Sequence, residues 1–150
     1  MRVYAGAFPR GQVESVTRYT ADEPTPGAVK HGRCSLDGQD LVAMDSPIDH
    51  GFSFNEALSL QVRCRDQAEV EHYWAALAQG GEPGRCGWLK DRFGVSWQVV
   101  PAALGDWLAA PDAAAAERVF AAMLPMSRLD LAELQRAFEG HLARGEDHMR

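Results

Sequence analysis

The stretch that decides the fold runs from Gly80 to Pro101 and reads GGEPGRCGWLKDRFGVSWQVVP. It predicts two short strands, the first beginning near Cys86 and Trp88, joined by a turn over Asp91–Gly94. The second strand alternates between two sets of side chains: Val95, Trp97 and Val99, and Ser96, Gln98 and Val100. Because successive side chains point to opposite faces of a sheet, one face is apolar and must be covered. The other face is partly polar, so this sheet is suited to lining a ligand cavity.

The segment before this hairpin predicts a strand followed by a helix. Residues Ala57 to Cys64 alternate strictly between Leu58, Leu60 and Val62, and Ser59, Gln61 and Arg63. Asp66 and Glu69 have the spacing of an acidic capping box, and Gly80-Gly81 is typical of a helix end. The predicted inward face of this helix consists of Val70, Tyr73, Trp74 and Leu77.

The first third of the chain predicts a sheet. Residues Gln12 to Tyr19 alternate as in a strand, and Asp37-Gly38 is the dipeptide of a tight hairpin between Val29–Leu36 and Gln39–Met44. Residues Arg2 to Phe8 indicate the last turns of a helix that Pro9 ends. The segment Asp45–Phe54 has no periodicity and is interpreted as a linker.

After Pro101 the pattern becomes helical. We predict one helix over Ala102–Ala109, one that starts at Pro111-Asp112 and one capped by Asp130. The residues expected to point inward on the second helix are Ala116, Val119, Phe120, Met123 and Leu124, and those on the third are Leu131, Leu134 and Phe138.

The composition of the chain limits which partners and which cellular compartment are expected. The formal charge of −6, with its basic residues scattered, argues against a nucleic-acid partner. No segment has the apolar length of a membrane span, so no membrane partner is expected. Three cysteines without a CxxC pair, Cys34, Cys64 and Cys86, indicate reduced, buried structural thiols and a cytoplasmic location.

Five blocks carry a resemblance to a known family: FNEALSL at Phe54–Leu60, Trp74 with Leu77, Gly80-Gly81, CGWLKDRFGVSWQVVP at Cys86–Pro101 and AAMLPMSRLDLAEL at Ala121–Leu134. The chain resembles the PhnB-like branch of the vicinal oxygen chelate superfamily, which includes glyoxalases, bleomycin-resistance proteins and dioxygenases. This branch is often labelled as a demethylubiquinone methyltransferase domain. The match covers nearly the whole chain and is specific for the family, but it does not fix the chemistry.

The resemblance implies an α+β fold of paired βαβββ modules, as in glyoxalases and bleomycin-resistance proteins. Residues 1–150 form a single PhnB-like domain in this interpretation. It consists of a partial first module at 1–46, a second module at 55–101 and C-terminal helices at 102–142. The first module is shortened at its N-terminus, either because an upstream segment is missing from this chain or because the module has lost its edge strand.

Metal-dependent relatives of this superfamily bind a divalent ion through a histidine on the first strand of a module and a glutamate on the last. The resemblance places Ala57 and Gln98 at these two positions. Alanine has no ligand atom and glutamine brings no charge, so no metal and no other cofactor are expected. Of the five histidines, His31, His50, His72, His141 and His148, only His50 lies in a loop that could reach a cavity.

Five residues are candidates for a ligand cavity. Four alternate onto the polar face of the sheet, and the fifth adds an apolar wall: Ser59, Gln61, Ser96 and Gln98, with Trp88. The alternative is that these polar groups satisfy one another across adjacent strands. The catalytic residues, if the protein is an enzyme, are not identified by the sequence.

Several functions stay open at this point. The leading one is a metal-free small-molecule binding protein, or an enzyme of unknown reaction. A metal-dependent lyase or dioxygenase and a methyltransferase are the alternatives within the superfamily. A protein with a filled cavity and a functional dimer surface is a third class. We expect a homodimer, because the shortened first module leaves a sheet edge open and leaves an apolar set short of cover: Val13, Val16, Val29, Val42 and Met44. Superfamily relatives commonly dimerise, so the resemblance favours the same expectation. The alternative is that the C-terminal helices cover this face with Leu131, Leu134 and Phe138.

Overall fold

The chain divides into two units that meet in sequence between Phe54 and Asn55. The computed structural model describes residues 1–140, so the second unit is described as far as Gly140. The predicted end of the last helix at residue 142, together with His141 and His148, lies outside the described residues.

The first unit is a short helix followed by a three-stranded antiparallel sheet. Its elements are α1 (Arg2–Ala7), β1 (Gln12–Arg18), β2 (Val29–Leu36) and β3 (Gln39–Ala43), with sheet order β1-β2-β3. The predicted hairpin at Asp37-Gly38 is confirmed, and both residues have the positive φ that such a turn requires, 50° and 90°. Cys34 and Leu36 of β2 are buried, and α1 packs against β1 and β2.

The second unit contains a complete βαβββ module. Its elements are β4 (Leu60–Cys64), α2 (Gln67–Ala78), β5 (Glu82–Pro83), β6 (Trp88–Lys90) and β7 (Ser96–Pro101). The sheet order is β4-β7-β6-β5, with β4 parallel to β7 and the other two pairs antiparallel. The predicted α+β fold is therefore confirmed, and the stretch from Gly80 to Pro101 forms its central hairpin, β6 and β7.

Helix α2 covers the apolar face of this sheet. The Asp66 side chain accepts the Glu69 N–H at 2.9 Å, as the capping pattern predicted, and Gly80 follows the helix with a φ of 75°. Val70, Tyr73 and Leu77 are buried against the strands, together with Trp97 and Val99 of β7. Trp74 is only half-buried.

Strand β4 begins later than the sequence pattern predicted. The Ala57 N–H is donated to the Asn55 side chain in a turn, and pairing with β7 starts at Leu60. Leu58, expected on the buried face, is therefore 76% exposed. Leu60, Val62 and Cys64 take the inward positions, where Val62 is buried and Cys64 is fully buried.

Three helices follow the module: α3 (Leu104–Leu108), α4 (Ala113–Met123) and α5 (Leu131–Glu139). The helix start predicted at Pro111-Asp112 and the cap predicted at Asp130 are confirmed, since the side chains of Asp112 and Asp130 accept helix N–H groups. The helices bury one cluster with the end of β7, formed by Val100, Leu104, Val119, Met123, Leu129 and Leu134. Within residues 1–140, no helix is both long and apolar enough to cross a bilayer.

The inward face predicted for α4 is wrong at two positions. Phe120 and Leu124 are 51% and 48% exposed. The buried positions are Ala115, Val119 and Met123, four residues apart, and a residue one position further along lies about 100° around the helix.

Candidate functional site

The face of the second sheet that is turned away from α2 carries most of the polar side chains predicted from the sequence. The strand register places Gln61 beside Gln98, and Trp88 beside Gln98 on its other side. Lys90 lies beside Ser96 in the same way. We call this surface, with Arg63 and Val100, the polar face.

Gln98 lies at the centre of a short hydrogen-bond chain. Its side-chain Nε2 donates to Ser59 Oγ at 2.8 Å, and its Oε1 accepts from Gln61 Nε2 at 3.4 Å. The interpretation that these groups satisfy one another therefore holds for three of them. Each amide nitrogen carries two hydrogens, so Gln61 and Gln98 keep further donor capacity toward a ligand.

A groove of about 370 Å³ lies between the polar face and the C-terminal helices. We call it the helix groove. Three of the predicted cavity residues line it, Gln61, Trp88 and Gln98. The remaining lining residues are Arg63, Cys86, Val100, Pro101, Ala102, Leu104, Gly105, Leu108 and Met123. Ser59 does not line the groove, but its Oγ accepts a hydrogen bond from Gln98, which does. The volume lies within the range of small-molecule sites.

Ser96 belongs to a different and smaller space. A cavity of about 140 Å³ is lined by Ser96, Trp88 and the ion pair between Lys90 and Glu56. The Ser96 Oγ is buried and has no hydrogen-bond partner in the described part of the chain. The Lys90–Glu56 hydrogen bond lowers the pKa of Glu56 and raises the pKa of Lys90, so both stay charged at neutral pH. Trp88 is shared by the two spaces.

The residues do not fit the metal site of metal-dependent superfamily members. Ala57, placed at the histidine position by the sequence pattern, lies in the turn before β4, and Ser59 is the residue of that segment that contacts Gln98. Both ends of the Gln98 amide are already engaged by uncharged groups. Within residues 1–140, no three His, Cys, Asp or Glu side chains are grouped so that they could hold a metal ion. His50 is exposed, and its Nε2 lies 2.7 Å from Ser46 Oγ in the first unit.

The three cysteines are free thiols in two different settings. Cys34 and Cys64 are fully buried, and burial raises the pKa of both thiols, that of Cys64 to about 12. Cys86 was expected to be buried as well, but it is half-buried and lines the helix groove. Its position differs because it precedes β6 with a positive φ of 56° instead of starting the strand.

Sequence reasoning missed the helical wall of the groove. The alternation of β7 does not show that Leu104 and Met123 pack with Val100, or that Leu108 lines the groove beside them, because these are contacts between segments distant in the chain. Arg63 could have been included, since it continues the alternation of Ser59 and Gln61 on β4.

The fold defines a class of protein, the βαβββ proteins of the glyoxalase and bleomycin-resistance type. Residues 1–100 match the family described as 3-demethylubiquinone-9 3-methyltransferase. The chain belongs to this family, and its predicted PhnB-like membership is confirmed.

Solved structures support the same assignment. A PhnB protein from Bacillus cereus is 33% identical, with a TM-score of 0.64, over 67% of this chain and 87% of that chain. A protein from Pseudomonas aeruginosa is 24% identical, with a TM-score of 0.55, over 67% of this chain and 85% of that chain. The second likeness concerns the fold alone. The search of curated proteins finds no match.

Proposed function

We propose that the protein binds a small molecule in the helix groove and does so without a metal ion. The observation that carries this proposal is the Gln98 chain. Its two hydrogen bonds hold the Gln61 and Gln98 amides side by side at the groove floor. Fixed polar groups beside apolar walls are the common composition of a small-molecule site. The open volume of about 370 Å³ argues against a cavity filled by side chains.

Binding is better supported than catalysis. Among the lining residues in the described part of the chain there is no carboxylate and no imidazole, the groups that most often act as general acid or base. The three free thiols support the cytoplasm, a reducing compartment, as the proposed location.

The family description suggests methyl transfer, for which S-adenosylmethionine would be the donor. The common site for this cofactor needs a glycine-rich turn between a parallel strand and a helix. Here the parallel strand β4 leads into α2 through Arg65-Asp66, and Asp66 itself caps the helix. The residues at this turn therefore do not fit such a site, and methyl transfer remains the weaker candidate.

Metal analysis distinguishes the proposed metal-free binding protein from the alternative, a metal-dependent lyase or dioxygenase. We expect less than stoichiometric zinc, manganese, nickel and iron in protein purified without chelator, because Gln98 and Ser59 offer no charged ligand. A stoichiometric metal that is lost in Gln98→Ala would favour the alternative.

A groove-blocking variant tests the proposed binding site. Gly105 lines the groove, and a Cβ built there meets no atom within 4 Å, so the first side-chain atom of Gly105→Phe has room. Gly6 in α1 is equally open and serves as the control, Gly6→Phe. In a fragment screen by ligand-observed NMR, we expect hits that Gly105→Phe loses and Gly6→Phe keeps. Equal binding to both variants, or no hits with the wild type, contradicts the proposal.

A further inference from the structure

We propose that the ligand of the helix groove is a small apolar molecule with one carboxylate group, which the Arg63 guanidinium holds. The inference rests on the proposed function and specifies its ligand. It begins with the charge of the lining. Arg63 is the one charged side chain among the lining residues that the structure describes. It follows Gln61 by two positions on β4, so both side chains leave the strand on the same face.

No carboxylate in the described part of the chain neutralises the positive charge of Arg63. Its Nη2 donates to the main-chain carbonyl of Ala102 at 3.3 Å, and it forms no ion pair with residues 1–140. Two other arginines differ from Arg63 in this respect: Arg33 pairs with Glu14 and Asp40, and Arg65 pairs with Glu69. The single carbonyl contact anchors the guanidinium at the groove and leaves most of its five N–H donors available.

A carboxylate is the anion that best suits this arrangement. The planar guanidinium fork matches the two oxygens of a carboxylate and forms charge-assisted hydrogen bonds with them. One arginine compensates one negative charge. A phosphate dianion would keep an uncompensated charge in a protein whose formal charge is already −6. The remaining amide hydrogens of Gln61 and Gln98 add neutral donors on the same floor.

The rest of the groove selects for an apolar body. Beyond the floor, its walls are mainly thiol, aromatic and aliphatic: Cys86, Trp88, Val100, Leu104, Leu108 and Met123. Burial of such a body gains free energy in proportion to its apolar area, while the carboxylate fixes its orientation at Arg63.

A matched set of probes tests the inference. The probes are 3-phenylpropionate, its neutral counterparts 3-phenylpropanamide and 3-phenylpropanol, and 2-phenylethyl phosphate. Their affinities are measured by calorimetry for the wild type, Arg63→Met and Arg63→Lys. Arg63→Met keeps the apolar stem and removes the charge, whereas Arg63→Lys keeps the charge and removes the fork. Arg65→Met is the control, because it removes a positive charge outside the groove lining.

We expect the wild type to bind the carboxylate at least about tenfold more tightly than the amide or the alcohol. This preference should disappear in Arg63→Met, shrink in Arg63→Lys and persist in Arg65→Met. If the neutral probes bind the wild type as tightly as the carboxylate does, and this binding is lost in Gly105→Phe, the inference is overturned and the proposed function is kept. A preference for the phosphate ester also overturns it. Failure of every probe to bind the wild type overturns the inference and counts against the proposed function itself.

Discussion

The indole Nε1 of Trp97 donates a hydrogen bond of 2.9 Å to Oδ2 of Asp91, and both residues are buried, 2% and 5% exposed. The other oxygen of Asp91 accepts the main-chain N–H groups of Phe93 and Val95 at 2.8 and 3.0 Å. One carboxylate thus shapes the turn between β6 and β7 and fixes the orientation of Trp97. Because side chains alternate along β7, it also fixes Gln98 on the polar face.

The Asp91–Trp97 contact should be measurable as a coupling energy. We expect Asp91→Ala to lower the free energy of unfolding by at least about 2 kcal/mol, because buried donors lose a charged acceptor. In a double-mutant cycle with Asp91→Asn and Trp97→Phe, the coupling should be about 1–2 kcal/mol in urea denaturation. Additive single-mutant effects would show that the hydrogen bond contributes nothing specific.

The two faces of β7 should differ in their contribution to stability. Trp97→Ala should cost about 3–5 kcal/mol, since it removes a large aromatic ring from a packed core. Gln98→Ala should cost less than about 1 kcal/mol, because the hydrogen bonds it removes are partly exposed to water. Urea melts of the two variants make the comparison. Similar losses for both would refute the assignment of a structural and a binding face.

Local signals explain why so much of the fold was predictable. The Asp37-Gly38 turn, the Asp66 and Asp130 caps and the alternation of β7 each depend on residues close in sequence, and all appear where predicted. The prediction that Leu58 is buried was wrong because the alternation of side chains begins before Leu60, where pairing of β4 with β7 starts.

The site was predictable only in part, for a different physical reason. Alternation identified Gln61, Trp88 and Gln98 because they belong to strands with a fixed period. Ser96 follows the same alternation along β7, but it lies beside Lys90 of β6 and therefore lines the smaller cavity. The helical wall of the groove depends on packing between segments distant in the chain, which no local period encodes.

Ser96→Ala should stabilise the protein. The buried Oγ has no hydrogen-bond partner among residues 1–140, so the folded state bears a desolvation cost that the alanine variant avoids. We expect a gain of about 1 kcal/mol in the free energy of unfolding. Ser59→Ala is the control and should be neutral or slightly destabilising, because Ser59 Oγ accepts from Gln98. A loss of stability in Ser96→Ala would indicate that its hydroxyl is bonded in solution.

The cysteines should differ in their reaction with iodoacetamide. At about pH 8 the folded protein should be alkylated at Cys86, because this thiol lines an open groove. Cys34 and Cys64 should stay unmodified, since they are fully buried and their raised pKa values keep the thiols protonated. Peptide mass spectrometry gives the sites, Cys86→Ser should show no fast alkylation, and all three should react in urea. Fast labelling of Cys64 in the folded wild type would contradict the described burial.

The sheet of the first unit leads to the last prediction, a homodimer. In sheet order β1-β2-β3, strands β1 and β3 are both edges within residues 1–54, and an open edge offers unpaired main-chain groups to another chain. Five apolar side chains were expected to lack cover. Val16, Val42 and Met44 are 43%, 63% and 67% exposed, whereas Val13 and Val29 are half-buried.

The competing explanation was that the C-terminal helices use Leu131, Leu134 and Phe138 to cover this sheet. In the structure, Leu134 is fully buried in the helix cluster of the second unit. Phe138 stacks on Trp107 of α3, with ring centroids 5.7 Å apart. These two side chains are thus already engaged within the second unit, so a second copy of the chain is the cover that we expect for Val42 and Met44.

Sedimentation at micromolar concentration tests the dimer. We expect the wild type to sediment as a dimer and Val42→Lys/Met44→Lys as a monomer, because two charges would have to be desolvated in the interface. Phe120→Lys is the control, since Phe120 is similarly exposed on α4 in the second unit and should leave the dimer intact. A wild-type monomer of 16.4 kDa would contradict the predicted dimer. A dimer that persists in Val42→Lys/Met44→Lys and is lost in Phe120→Lys would show that the interface lies elsewhere.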